Sequence, residues 1–510
     1  MSGWKALSLA FFVGFVIRLV PEVLSYPHPI GFDTVYYATV MKSGVVWPHW
    51  GSFFGSSWLL LALIVSFRSL VGVDPFSLLK VLGPVLFGLN VAGVYWFARK
   101  ALAWNVRLSV FASGFFALQL ASLRISWDLL RNTLGLGLLL FTLPLIGLVD
   151  SRRGLVGFIV LGLLTVFAHE YAAVTLLVVV LGLLVWRFLK RRVDASWKRL
   201  LVGVVPSLTV FAVGVWVRFL QLDSAVGSNV IEVGDGARGY VRGVFFLVDY
   251  LGVKSSTDSY GSYWGLASSV LALFVLLYLS YSFLIWKGYF GNEILGTWTA
   301  LLVVGAFGCL VFPFCALEYW HRWMFMFVYP FTFYAANGLR VSFKVFGEGI
   351  ARLPSRKATG MVLVTVLLGV SYLFTPVLMA RANVNVSSFP MTCTYFSVSP
   401  TVPYEDVDDV AQAMQWLQGR LSQNSCVILQ HAFLSWGKLY LDNSQIIVHF
   451  ELDVDSAVNV ALERGFDHVF SVWWNVDIGW YGVSMPSGFV PAGDFGRLSV
   501  YEYSGGMNSG

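Results

Sequence analysis

Through the first 379 residues, apolar runs of roughly 15–25 residues alternate with short polar segments, the length scale of helices that cross the hydrocarbon core of a bilayer. Such runs occupy 4–20, 75–97, 108–123, 132–149, 154–168 and 171–185 in the first half, then 200–220, 264–286, 295–317, 323–339 and 360–379. The pattern predicts eleven transmembrane helices. A further apolar stretch, 58–71, is short and carries Arg68. If it spanned, Arg187, Lys190, Arg191, Arg192, Lys198 and Arg199 would fall on the opposite side from Lys5, against the positive-inside bias. Read as an interfacial helix, it leaves those residues in the cytoplasm together with Arg99, Lys100, Arg107, Arg152, Arg153, Lys287, Arg340, Lys344, Arg352, Arg356 and Lys357. The N-terminus is then inside and the C-terminus outside.

The pattern changes after residue 380. Residues 388–510 hold four Lys or Arg against thirteen Asp or Glu, the reverse of the basic loops. Val407, Val410, Ala411, Met414, Leu417 and Leu421 recur at helical spacing, followed by strand-like 426–430 and 445–450. A second helix from about Asp455, closed by Gly465, precedes strand-like 468–474 and 498–503. The tail therefore reads as a small α/β domain. The expected fold is an α-helical polytopic membrane protein: a transmembrane domain over 1–379, with external loops at 21–74 and 221–263, and an external soluble α/β domain over 380–510.

Composition agrees. Of 510 residues, 57% are hydrophobic and 12% charged, with a mean hydropathy of +0.73, which excludes soluble, disordered and coiled-coil chains. The aromatic share of 16%, including 20 Trp and 22 Tyr, suits many crossings of the lipid–water interface. The net charge of +6 sits beside the apolar runs, so it reports topology and not a nucleic-acid partner. Lys5 and the apolar run after it, with no small-residue cleavage site before Pro21, read as an uncleaved signal anchor. Cys309 and Cys315 lie in an apolar run and Cys393 and Cys426 in the tail, without zinc-site spacing; a Cys393–Cys426 disulfide is left open.

Ionisable groups near spans are costly, so their placement is informative. Asp33, Asp128, Glu170 and Glu318 all fall at external ends in the eleven-span reading, with His28, Arg124, Arg131, His169, His321 and Arg322 close by. No carboxylate occupies the middle of a span. A secondary transporter would hold its groups near the midplane on broken, repeated helices, whereas this layout suits a reaction centre at the outer surface. Transfer from a polyprenyl-phosphate sugar fits it. The phosphate leaves without protonation, so one carboxylate to take the acceptor's proton and cations to hold the phosphate suffice.

Arg18-Leu19, then Gly31-Phe32-Asp33-Thr34-Val35-Tyr36-Tyr37, resemble the first-loop acidic motif of the GT-C glycosyltransferase superfamily. The order continues with 75–103 and with Ser122-Leu123-Arg124-Ile125-Ser126-Trp127-Asp128-Leu129-Leu130-Arg131-Asn132, as in prokaryotic oligosaccharyltransferase catalytic subunits and their relatives, protein mannosyltransferases among them. His321-Arg322-Trp323, with Pro330 and Gly338, resembles their late-span arginine. The resemblance implies that Asp33 is the catalytic base and Arg322 a contact of the donor phosphate. It implies that Asp128 supports the base or orients the acceptor, while His169, Glu170, His321, Glu318, Arg124, Arg131 and Tyr36 line the cavity. It also implies inversion, a dolichyl- or undecaprenyl-phosphate donor, a glycan, lipid-linked glycan or protein acceptor, and an archaeal or bacterial cell membrane.

Two departures bear on this. Oligosaccharyltransferases carry two acidic residues, one apart, after the third span and use them with a divalent metal. Here Leu129, Leu130 and Arg131 follow Asp128, so no cofactor is required and Mg²⁺ or Mn²⁺ fits poorly. Their Trp-Trp-Asp-Tyr-Gly acceptor motif is replaced by Gln430-His431-Ala432-Phe433-Leu434-Ser435-Trp436-Gly437, against protein N-glycosylation. That activity, a lipid-sugar flippase and a noncatalytic scaffold remain the alternatives. Each residue also has a plainer reading: an Asx turn for Asp33, a helix-surface ion pair of Asp128 with Arg124 or Arg131, a helix cap for His169 and Glu170, and snorkelling for Arg322.

Overall fold

The computed structural model describes residues 3–47, 50–55, 57–219, 229–233, 262–311, 320–343, 356–375, 400–450, 453–475 and 488–504. Seventeen helices among these residues precede the tail: α1 (Gly3–Leu24), α2 (Thr34–Ser43), α3 (Trp50–Gly55), α4 (Leu59–Val71), α5 (Pro75–Lys100), α6 (Val106–Ala117), α7 (Leu120–Asp128), α8 (Leu130–Thr142), α9 (Arg152–Ala168), α10 (Glu170–Leu189), α11 (Ala195–Phe219), α12 (Tyr263–Tyr278), α13 (Ser282–Gly288), α14 (Glu293–Val311), α15 (Trp320–Met326), α16 (Val328–Phe343) and α17 (Arg356–Leu373). The tail holds α18 (Val407–Gln418), α19 (His431–Tyr440) and α20 (Val454–Glu463).

The chain is thus a polytopic helical membrane protein with a small C-terminal sheet. Among the described residues, seven helical spans are long and apolar enough to cross a bilayer, or eight if the bent pair α6–α7 is one span. The other expected spans coincide with the shorter helices α9, α15–α16 and α17. Stretch 58–71 is helical, as α4.

Two runs expected as continuous helices are broken. Between α6 and α7 the axis turns by 63°. Gln119, at the break, donates from Nε2 to Thr332 Oγ1 at 2.7 Å and accepts a bond from the Tyr281 hydroxyl. Between α15 and α16 the chain breaks at Phe327, and the Tyr278 hydroxyl donates to the Met324 and Phe325 carbonyls at 2.7 and 3.1 Å. Breaks at membrane depth persist where side chains from other helices satisfy the released backbone groups. Asn90 adds a polar tie, donating to Leu86 O and Thr133 O and accepting from the Tyr329 hydroxyl at 2.8 Å, which joins α5, α8 and α16.

Helices α13 and α16 approach backbone to backbone at Gly288 and Gly338, where a Cβ would collide with Tyr334 O and Leu284 O respectively. Gly338→Ala is expected to lower stability by about 1–3 kcal/mol, read as a reduced thermal midpoint of the detergent-purified protein.

Among the described residues, five strands of the tail and one from 221–263 form a six-stranded sheet of order β1-β3-β2-β4-β6-β5, with β1 (Val230–Glu232), β2 (Ser425–Gln430), β3 (Ile446–Phe450), β4 (His468–Trp474), β5 (Phe489–Phe495) and β6 (Leu498–Tyr503). The first four strands in that order are parallel, with Ile428 opposite Val448 in one neighbour and Ser471 in the other; β6 and β5 are antiparallel. Strand β2 is buried along its whole length, as a central parallel strand must be. On α18, Val407, Val410, Met414 and Leu417 are buried as the spacing implies, with Ala413 buried more deeply than Ala411. Gly465 follows α20 with φ +81°, the left-handed stop its position calls for. Strand β1 lies within the stretch expected as an external loop, 221–263, and its three residues pair with β3. Cys393 lies outside the described residues; Cys426 is buried on β2.

Residues 30–43 pack along α19, with Phe32 at its His431 end and Lys42 at its Leu441 end. Val35 joins the apolar core of the tail, Phe32 stacks on His431 at 5.9 Å, Phe76 meets Trp436 at 6.1 Å, and Lys42 Nζ donates to Leu441 O at 3.2 Å.

Candidate active site

Asp33 occupies the position before the first turn of α2, and its carboxylate makes no capping bond there. The Asx-turn reading is therefore not what the structure shows; the carboxylate is left for other contacts. The preceding residue, Phe32, donates its backbone N–H to Asp128 Oδ2 at 3.3 Å. Gly31 makes this approach feasible. Its φ is +91°, and a Cβ would lie 2.6 Å from Asp128 Cβ and 2.8 Å from Trp127 O.

The bend at Gln119 aims α7 so that its last turn presents Arg124 and Asp128. Asp128 is 3% exposed, and its Oδ1 lies 2.5 Å from Arg124 Nη1. The ion pair with Arg124 exists, but it is buried and not on a helix surface. Arg124 also lies over the Phe325 ring at 5.8 Å, which brings α15 into the group.

Asp33 itself is half-buried. Burial first, then the negative charge of Asp128, push its carboxyl up to about 6 against the pull of Arg322, Arg131 and Arg124. Five of the residues singled out in the sequence, Asp33, Asp128, Arg124, Arg131 and Arg322, thus share one electrostatic site drawn from four segments. Arg131 lies over Tyr36 at 5.9 Å and within reach of Glu170. Glu170, the first residue of α10, accepts the Ser57 hydroxyl at 2.5 Å. His321 meets Phe325 edge-on at 6.2 Å and so joins the group through the ring beneath Arg124.

His169 does something different. It is 5% exposed, its Nδ1 accepts the Tyr171 N–H at 3.2 Å, and its ring stacks on Tyr171, so it caps α10 as the plainer reading has it. Glu318 lies outside the described residues. Ser57 carried no sequence signal of a site role, because it becomes a neighbour only through tertiary contact, and His431 was read only as part of the segment that replaces the acceptor motif.

A carboxyl with a pKa near 6 is mostly ionised at neutral pH yet still basic enough to accept a proton during bond formation. The guanidinium groups supply fixed positive charge for a phosphate. Among the described residues, the donors do not form a divalent-ion site. Both oxygens of Asp128 are engaged, one by Arg124 and one by the Phe32 N–H. Among the described residues, no group of three or more His, Cys, Asp or Glu side chains is placed to hold a metal.

No protein-family model matches the sequence, and no curated protein matches it. Solved structures do match the fold. ArnT from Cupriavidus metallidurans in the apo state superposes with a TM-score of 0.53 over 98% of both chains at 14% identity. The apo oligosaccharyltransferase of Archaeoglobus fulgidus superposes with a TM-score of 0.51 at 11% identity, covering 92% of this chain and 69% of that one. The chain shares the fold of these two structures.

Proposed function

We propose that the chain is a GT-C-type glycosyltransferase that moves a sugar from a dolichyl- or undecaprenyl-phosphate donor to an acceptor at the outer membrane face, with inversion. The observation that carries this is the Asp33 carboxyl with Asp128 and three arginines acting on it, on a fold shared with ArnT and an archaeal oligosaccharyltransferase. In the reaction, the acceptor attacks the anomeric carbon and the bond from that carbon to the phosphate oxygen breaks. Asp33 takes the acceptor's proton. The polyprenyl phosphate leaves as an anion against Arg322, so no acid is needed. Asp128, neutralised by Arg124, holds the Asp33 loop by its bond to Phe32. Arg131 extends the cationic wall toward Glu170. The sheet, meeting the site through His431 on Phe32, bounds the acceptor side.

The test is sugar transfer in proteoliposomes supplied with labelled polyprenyl-phosphate sugars and candidate glycan, lipid-linked glycan and peptide acceptors. Release of polyprenyl phosphate that depends on an acceptor is expected; its absence with every donor and acceptor overturns the proposal. Arg322→Ala is expected to raise the donor KM about tenfold or more, while the acceptor KM stays within about twofold. A sequon peptide with Mn²⁺ is expected to give no product, since positions 430–437 lack the oligosaccharyltransferase motif.

A further inference from the structure

Beneath the Asp33 loop lie three buried ionisable side chains that the proposed chemistry does not use. Arg18 and Glu22 stand one turn apart on α1, at 0% and 5% exposure, and Lys80 on α5 is 9% exposed. Such charges are retained only where each is paired. Lys80 Nζ donates to the Glu22 carbonyl at 3.1 Å, to its carboxylate at 3.4 Å and to Ser25 Oγ at 2.8 Å. Glu22 Oε1 lies 2.8 Å from Arg18 Nη1. These contacts account for Glu22 and Lys80, but only for one edge of the Arg18 guanidinium.

The other edge points at α7. Arg18 Nε donates to Ser126 O at 3.2 Å and Nη2 to Trp127 O at 3.4 Å, with the guanidinium carbon 5.4 Å from the Trp127 ring centre. These are the last two carbonyls before Asp128, in the final turn of α7, where helical carbonyls have run out of partners. A cation there also meets the negative end of the helix dipole. Space for the arrangement comes from Gly83 on α5, where a Cβ would lie 3.3 Å from Arg18 Nη2 and 3.5 Å from Glu22 Oε1. From Asp128 the connection runs on through Oδ2 to the Phe32 N–H, one residue from Asp33.

We propose that Arg18, held in place by Glu22 and Lys80, is a positioning residue: by gripping the Ser126 and Trp127 carbonyls it fixes Asp128 and, through Asp128, the loop that carries Asp33. The consequence for catalysis rests on Asp33 being the base; the geometric link does not. A role confined to joining α1 and α5 would use the Glu22 and Lys80 contacts alone and leave Asp33 unaffected.

The titration of Asp33 separates the two. Asp128 raises the Asp33 pKa, so loosening the end of α7 lowers the midpoint. Loss of a nearby cation by itself would raise it, so a fall is the signature of lost geometry. The midpoint is read on the full chain in lipid nanodiscs from carbodiimide–amine labelling of Asp33 between pH 4.5 and 8, quantified by peptide mass spectrometry, with no donor or acceptor present. Arg18→Met and Arg18→Lys are both expected to lower it by about 0.5–1 unit. The lysine keeps the charge beside Glu22 but cannot span two carbonyls, so it decides the matter if the methionine variant does not fold.

In transfer assays the same variants are expected to lose about ten- to hundredfold in kcat with donor KM within about twofold of the parent. An unchanged or raised midpoint in the folded lysine variant overturns the proposal. A lowered midpoint in a protein whose Asp33→Asn form still transfers sugar supports the link from Arg18 to the loop and refutes Asp33 as the base.

Discussion

Asp33→Asn is expected to lower kcat for sugar transfer by about a thousandfold or more, because asparagine keeps the shape of the side chain but cannot take up the acceptor's proton. Donor binding is expected to survive, since the arginines remain. In the parent, kcat should fall on the acid side with a midpoint near pH 6, where Asp33 becomes protonated. The variant's residual rate should lack that limb. Stability should move the other way. The Asp33 pKa is raised on folding from 3.8 to about 6, so the folded state binds its proton first, and the parent loses stability as pH rises through that window. The thermal midpoint of Asp33→Asn should therefore equal or exceed the parent's at pH 7.5, with the difference shrinking toward pH 4. Full activity in a normally folded Asp33→Asn protein would remove Asp33 from the mechanism.

Arg124→Met should act first on the fold. The Arg124–Asp128 pair is buried, at 10% and 4% side-chain exposure, and removing one partner strands the other charge. The expected cost is about 3–5 kcal/mol, seen as a lowered thermal midpoint and reduced yield. Adding Asp128→Asn should recover most of the loss, because the stranded charge is then gone. If the double variant is no more stable than Arg124→Met alone, the two residues are not coupled as the geometry indicates. The recovered protein should remain impaired in transfer, since the amide places a neutral group beside Asp33 where a negative charge had raised its basicity.

How much of this was visible in the chain itself varies by residue. The spans were legible because a bilayer demands about 20 apolar residues in a row, a local property of the sequence. Four of the tail's strands, β2, β3, β4 and β6, and its helices at 407 and 455 were legible from periodicity, whereas β5 and α19 were not, and Asp33, Asp128, Arg124, Arg131 and Arg322 were legible from the rarity of charge beside apolar runs. The break at Gln119 was not, because it is stabilised by Thr332 and Tyr281, far away in the chain. Nor was β1, whose three residues acquire a strand's hydrogen bonds only from β3. Lys80 did leave a signal, a lone ammonium in an otherwise apolar run, but its partners Glu22 and Ser25 lie on or just after another helix.

Composition and periodicity alone were enough to establish that the chain crosses a membrane many times, ends in a compact α/β unit, and keeps its carboxylates at the ends of its spans. Which of those charges face one another was settled by folding. Hydrophobicity is read residue by residue, whereas the basicity of Asp33 depends on burial and on four charges brought to it from α7, α8 and α15, and a Coulomb interaction is set by distance in space, not by separation along the chain.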